Sequence, residues 1–111
     1  MLRPSEFRRV YDQGARFAGP LFAAFFLANG QPDGPRVGFT TPRALGKAVR
    51  RNRMRRRIRE AVRLELPGIG AQWDLVINPR KPALTASWEH IQTEVKKLVR
   101  RLPTLPVQQE A

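Results

Sequence analysis

The sequence predicts an α+β domain, helices packed on a small mixed sheet, in the order helix, two or three strands, helix, strand, helix. Three observations lead there. Apolar residues recur at helical spacing in three separate stretches, short apolar runs bounded by Gly and Pro lie between them, and no segment repeats. At 111 residues the chain suffices for one domain, 1–111, with one modest core.

The first helix is predicted over 5–13. Ser5 offers a capping hydroxyl, Glu6 suits the positive end of the dipole, and Phe7, Val10 and Tyr11 fall at i, i+3 and i+4. Gly14 can stop it. Arg16–Ala18 reads as a short edge strand, Gly19-Pro20 as a break, and Leu21–Ala28 as a strand. NGQPDGP at 29–35 is dense in turn residues, and RVGFTT at 36–41 reads as a strand returning antiparallel to 21–28. A long basic helix is expected from Lys47 to Leu64, ended by Pro67-Gly68. WDLVINP at 73–79 reads as another strand. In the final helix Trp88, Ile91, Val95, Leu98, Val99 and Leu102 share helical spacing, with Thr85 or Ser87 as cap. Beyond Pro103 a frayed tail, 103–111, is expected.

A hydrophobic content of 41% suits a folded chain rather than a disordered basic tail. The absence of cysteine removes disulfides, thiolate catalysis and the common structural zinc sites, and fits a reducing cytoplasm. The longest apolar run, PLFAAFFLA at 20–28, is far shorter than the ~18–20 residues of a membrane span. MLRPSEF lacks the apolar stretch of a signal peptide. A soluble cytoplasmic protein without membrane partners is expected.

Net charge is +12, and it is concentrated. Residues 47–63 hold nine cations and one acid, whereas the other 94 residues hold twelve cations and eight acids. On a wheel advancing about 100° per residue, Met54, Ile58, Ala61 and Val62 gather into a core stripe. Arg51, Arg55 and Arg59 form a row along one edge, with Asn52, Arg56 and Arg63 beside it. Arg53 and Arg57 lie on the other flank with Glu60, where pairing with Glu60 or Glu65 is an alternative reading of both.

This helix opposes its own folding. Each like-charge pair at i, i+4 costs roughly 0.2–0.5 kcal/mol, and 51–55, 53–57, 55–59 and 59–63 are such pairs. A merely solvated face would mix Glu with Lys. Arg, used here almost exclusively, presents a planar array of donors suited to phosphate and to stacking on bases. Nucleic acid is therefore the expected partner. LFAAFF at 21–26 leans the choice weakly towards unpaired RNA bases, although Phe22, Phe25 and Phe26 read more readily as core, and alternation exposes one face at most.

Nothing in the sequence suggests a catalytic centre. The single histidine, His90, lies in a helical pattern near Glu89 and Glu94 and reads as a surface or interface residue. Asp74 stands isolated at the start of a strand, and GIGAQ at 68–72 lacks the strand–glycine–helix context of a phosphate loop. No carboxylate or histidine cluster has metal-ligand spacing.

RVGFTTPRALGKAVRRNRMRRRIREAVR, residues 36–63, resembles the signature of the bacterial ribonuclease P protein family. Its hallmark is Arg51-Asn52-Arg53, with Gly46, Ala48, Val49, Arg56 and Arg59 in place. The likeness extends upstream through EFRRVYDQGARFAG and downstream through DLVINPRKPA, covering roughly residues 6–100. It implies an α-β-β-β-α-β-α fold with a left-handed crossover around the basic helix, where the general rule gives a right-handed one. It further implies binding to a large catalytic RNA that removes the 5′ leader of precursor tRNA by magnesium-dependent hydrolysis. The chemistry and the magnesium ions belong to the RNA, none being held tightly by the protein, and no obligate protein partner is implied.

Carried over by position, Phe7, Tyr11, Phe25, Arg51, Arg55 and Arg59 would line a cleft for the leader. Lys47, Asn52, Arg53 and Arg56 would face the RNA subunit. Core packing is the alternative for Phe7 and Tyr11. The sequence departs from the family pattern in its short segment before the first helix, in Tyr11 where phenylalanine is usual, and in Arg for Lys at several basic positions. Two other functions compete: a general RNA-binding or ribosome-associated protein, from the basic helix alone, and an independent nuclease, for which no acid–base or metal constellation speaks.

Overall fold

The computed structural model describes residues 4–28, 35–65 and 73–102. The expected turn at 29–34, the Pro67-Gly68 break, GIGAQ and the tail at 103–111 lie outside the described residues. In chain order the elements are α1 (Pro4–Gln13), β1 (Ala15–Ala18), β2 (Phe22–Ala28), β3 (Arg36–Phe39), α2 (Ala48–Glu65), β4 (Trp73–Pro79) and α3 (Trp88–Arg101). Short 3₁₀ turns stand at Arg43–Leu45 and Lys81–Leu84.

The α1 helix starts at Pro4, so Ser5 lies inside it and is not its cap; a proline in the first turn sacrifices no intrahelical hydrogen bond. Gly14 stops α1, donating its N–H to the Val10 carbonyl at 2.8 Å. A β-carbon at Gly14 would stand 2.5 Å from Val10 O and 2.7 Å from Phe26 O, so glycine is what lets the helix end run this close to β2. At α3, Ser87 rather than Thr85 is the cap, its Oγ accepting from the His90 N–H at 3.0 Å.

The sheet order is β1-β2-β4-β3. The hairpin expected between 21–28 and 36–41 does not form. Instead β4 lies between them, antiparallel to β2 from Phe22↔Pro79 to Ala28↔Trp73 and parallel to β3 from Arg36↔Asp74 to Phe39↔Ile77. The reason is length and two-sided apolarity. β4 matches all seven residues of β2, whereas β3 offers only four. β4 also buries side chains on both faces, as a central strand must.

Alternation along β2 divides the phenylalanines. Phe22, Ala24 and Phe26 join Leu75 and Ile77 in the main core, closed by Met54, Ile58, Ala61 and Val62 of α2 and by Ile91, Val95 and Leu98 of α3. Those four α2 residues are the stripe that the wheel predicts. On the opposite face, Val10 of α1 and Val76 of β4 are fully buried, with Phe7, Tyr11, Phe25 and Leu27 packed around them. Helices thus cover both faces, α1 on one and α2 with α3 on the other. Among the described residues no helix is long and apolar enough to cross a membrane.

Candidate nucleic-acid interface

The i, i+3, i+4 spacing of Phe7, Val10 and Tyr11 sends Val10 into the sheet and leaves its two aromatic neighbours half-buried. Tyr11 meets Phe25 edge-on, with ring centroids 4.8 Å apart and planes at 77°. Its hydroxyl donates to Asn78 Oδ1 at 3.0 Å and, its one proton being used there, accepts from Thr40 Oγ1, also at 3.0 Å. Core packing thus holds for Phe7 and Tyr11 in part: both rings, like that of Phe25, pack around Val10 and Val76 and remain half-buried. Tyr11→Phe keeps the ring and strips Asn78 and Thr40 of a partner, so a stability loss of about 1 kcal/mol is expected. Urea unfolding checks it; an unchanged midpoint would mean that solvent replaces the hydroxyl.

Thr41 carries the surface on to α2. Arg51 Nη1 donates to the Thr41 carbonyl at 3.2 Å and Arg55 Nη1 to the Thr41 hydroxyl at 3.3 Å. Gly46, at φ 120°, forms the elbow into α2, a left-handed backbone that disfavours any side chain, and its carbonyl accepts from Arg51 Nε at 3.1 Å. One turn on, the Arg59 guanidinium lies 5.4 Å from the Phe39 ring centroid. These contacts bend the cationic row around the exposed edge of β3.

An open groove of about 530 Å³ runs there, bounded by Phe7, Arg36, Phe39, Arg55, Arg59 and Arg63. It gathers Phe7, Arg55 and Arg59 of the expected cleft. Tyr11, Phe25 and Arg51 lie outside its lining, joined to it through Thr40 and Thr41. Together they make one strip, with aromatic rings at one end and guanidinium groups at the other.

Arg36 lies beneath this strip. Its Nε and Nη2 donate to the two oxygens of Asp74 at 2.9 Å each, and its Nη1 to Glu6 at 2.7 Å. Asp74 is 1% exposed, so the strand residue that looked isolated in the sequence is half of a buried bidentate pair. The bond to Asp74 holds the Arg36 pKa above its ordinary value, outweighing desolvation. The clamp ties α1, β3 and β4 together and holds both carboxylates on one guanidinium beside the groove.

The other flank of α2 differs from expectation. Arg57 does not pair with Glu60 or Glu65. It donates to three backbone carbonyls before α3, those of Ala83 at 2.8 Å, Leu84 at 3.0 Å and Ala86 at 2.6 Å. Glu60 pairs with Arg63, whose hydrogen bond lowers the Glu60 pKa. That contribution to stability is present above the ordinary carboxylate value and is lost as pH falls through the lowered one. Arg53 borders a second hollow with Val49, Arg50, Leu84 and Thr85. Lys47, Asn52 and Arg56 are exposed, and Asn52 Oδ1 accepts a hydrogen bond from Arg55.

Sequence reasoning missed Arg36, Thr40, Thr41, Asn78 and the role of Arg57. The signal available for the threonines was two adjacent hydroxyls at the end of a strand before Pro42. For Arg57 and Arg36 there was none, since their partners are 26 to 38 residues away. His90 is exposed, with Nε2 3.8 Å from the buried Glu94 carboxylate, which Lys97 also contacts at 3.1 Å. No three acids or histidines converge on a metal-sized site among the described residues.

A row of guanidinium groups beside half-open rings is the composition that single-stranded nucleic acid requires. Comparison with known proteins gives the family. The family model described as Ribonuclease P matches residues 1–103. The ribonuclease P protein component of Chloroflexus aggregans is 44% identical over 100 residues, 89% of this chain and 73% of the relative. The RNase P protein from Thermotoga maritima superposes with a TM-score of 0.82 at 28% identity, over 93% of this chain and 97% of that one. The Staphylococcus aureus RNase P protein superposes with a TM-score of 0.78 at 28% identity, over 90% and 91%. The chain belongs to the ribonuclease P protein family.

Proposed function

We propose that this chain, a protein subunit of ribonuclease P, holds the 5′ leader of precursor tRNA along the strip from Phe25 to Arg59 and docks the catalytic RNA on the outward face of α2. The observation that carries this reading is the continuity of the strip: Tyr11 of α1 is hydrogen-bonded to Thr40 and Arg51 and Arg55 of α2 to the adjacent Thr41, while Phe25 of β2 packs on Tyr11. Phe7, Tyr11 and Phe25 offer faces for unpaired bases, while Arg51, Arg55 and Arg59 take the phosphates. Lys47, Asn52, Arg53 and Arg56 point to the RNA subunit. That RNA holds the magnesium ions and performs the hydrolysis; the protein adds substrate affinity, in the cytoplasm and without an obligate protein partner. The like-charge repulsion along α2 is relieved when phosphates replace water around it.

The test is cleavage of precursor tRNA at low magnesium by a bacterial ribonuclease P RNA, with and without the protein. Cleavage that neither component achieves alone is the expected result; no gain with the cognate RNA would return the chain to the class of general RNA binders. Phe25→Ala in the holoenzyme should weaken binding of precursor tRNA more than of mature tRNA, by about 1–3 kcal/mol if a base stacks on the ring. Equal weakening of both would make Phe25 a packing residue only.

A further inference from the structure

We infer that the strip does not end at Phe25 but continues across β1, where Arg16 forms a second cationic bank for the single strand; this extends the leader reading above and rests on it. Arg16 and Phe25 are direct cross-strand partners in the β1–β2 register, so both side chains lie on the face that carries α1. The Arg16 guanidinium carbon is 5.9 Å from the Phe25 ring centroid, and Tyr11 meets the same ring at 4.8 Å. Phe25 thus has both a cation and a tyrosine beside it and stays half-buried.

Three arginines of this fold are committed to structural partners: Arg36 to two carboxylates, Arg57 to three carbonyls and Arg63 to Glu60. Arg16 is exposed and forms no ion pair among the described residues. In the order β1-β2-β4-β3 it stands at the sheet edge opposite the groove. Three strand spacings of about 4.8 Å place it roughly 14 Å from β3. Cations at both edges with rings between them match a strand whose bases stack in the middle and whose phosphates leave on either side. A solvated edge-strand cation that merely discourages sheet-to-sheet pairing is the plainer reading. It does not account for a guanidinium carbon 5.9 Å from the ring centroid of a proposed stacking residue.

The experiment measures binding of the reconstituted holoenzyme to mature tRNA and to precursors whose leaders lengthen stepwise. With the wild-type protein, affinity should rise with leader length. Arg16→Ala should lower affinity for the longest leaders about 3- to 10-fold, leave short leaders and mature tRNA unchanged, and reduce the salt slope for long leaders by about 0.7. Arg16→Lys should restore the slope. Wild-type affinity for Arg16→Ala at every leader length, or equal weakening that includes mature tRNA, overturns the inference while leaving the leader reading intact. A wild-type protein that never distinguishes precursor from mature tRNA overturns both. If Arg16→Ala folds poorly, Arg16→Gln, which keeps the stem beside Phe25 and removes the charge, carries the same comparison.

Discussion

Arg36→Met is expected to destabilise the fold by about 3 kcal/mol, read as a lower midpoint in urea unfolding at neutral pH. The change removes two hydrogen bonds from a carboxylate that is 1% exposed and a third from Glu6 on α1. Truncating one partner of a buried pair costs about 3–5 kcal/mol, and the lower end applies because Arg36 retains partial contact with solvent. The wild-type guanidinium has a raised pKa, so its contribution is fully present below the ordinary arginine value and is lost only above the raised one. Stability carried by this side chain's charge is therefore constant through the working pH range. A loss well under 1 kcal/mol would show that solvent or another group takes over the carboxylate.

Arg57→Ala is the second large effect. A guanidinium donating to three carbonyls couples the middle of α2 to the start of α3. Hydrogen bonds from a charged donor contribute about 1.5–3 kcal/mol each and do not add, so a total of about 2–3 kcal/mol is expected. Arg56→Ala, one residue away on the exposed face, should change stability by less than about 0.5 kcal/mol. Parallel denaturation curves test the pair. Equal losses would mean that the carbonyl contacts of Arg57 add nothing beyond what an exposed arginine on this helix contributes.

The contrast between Arg56 and Arg57 also marks how far the sequence could be read. The core stripe of α2 follows from period and apolarity alone, and Met54, Ile58, Ala61 and Val62 are all buried. The segregation of Phe22 and Phe26 from Phe25 follows from alternation. Strand pairing did not follow, because proximity in the chain favours a hairpin between β2 and β3. WDLVINP held the contrary signal: a nearly continuous apolar run suits a strand covered on both faces. Arg-Val-Gly-Phe suits an edge, with one residue lacking a side chain and another charged. The acceptors of Arg57 and the Arg36 clamp are legible only in three dimensions, because backbone carbonyls leave no mark in sequence and isolated charges do not declare their partners.

The central position of β4 bears on how the protein is made. Of the described strands it is the last to leave the ribosome, yet β3 depends on it for all of its pairing and β2 for one of its two neighbours. A nascent chain that has just completed α2 holds β3 with no neighbour in the sheet, and the Arg36–Asp74 clamp lacks its acid. The most cationic segment is therefore synthesised before the scaffold that aims it. Sheet closure is a long-range, late event, slower than the local formation of helices. During that interval the arginine-rich segment is present without the β3–β4 pairing and without the clamp.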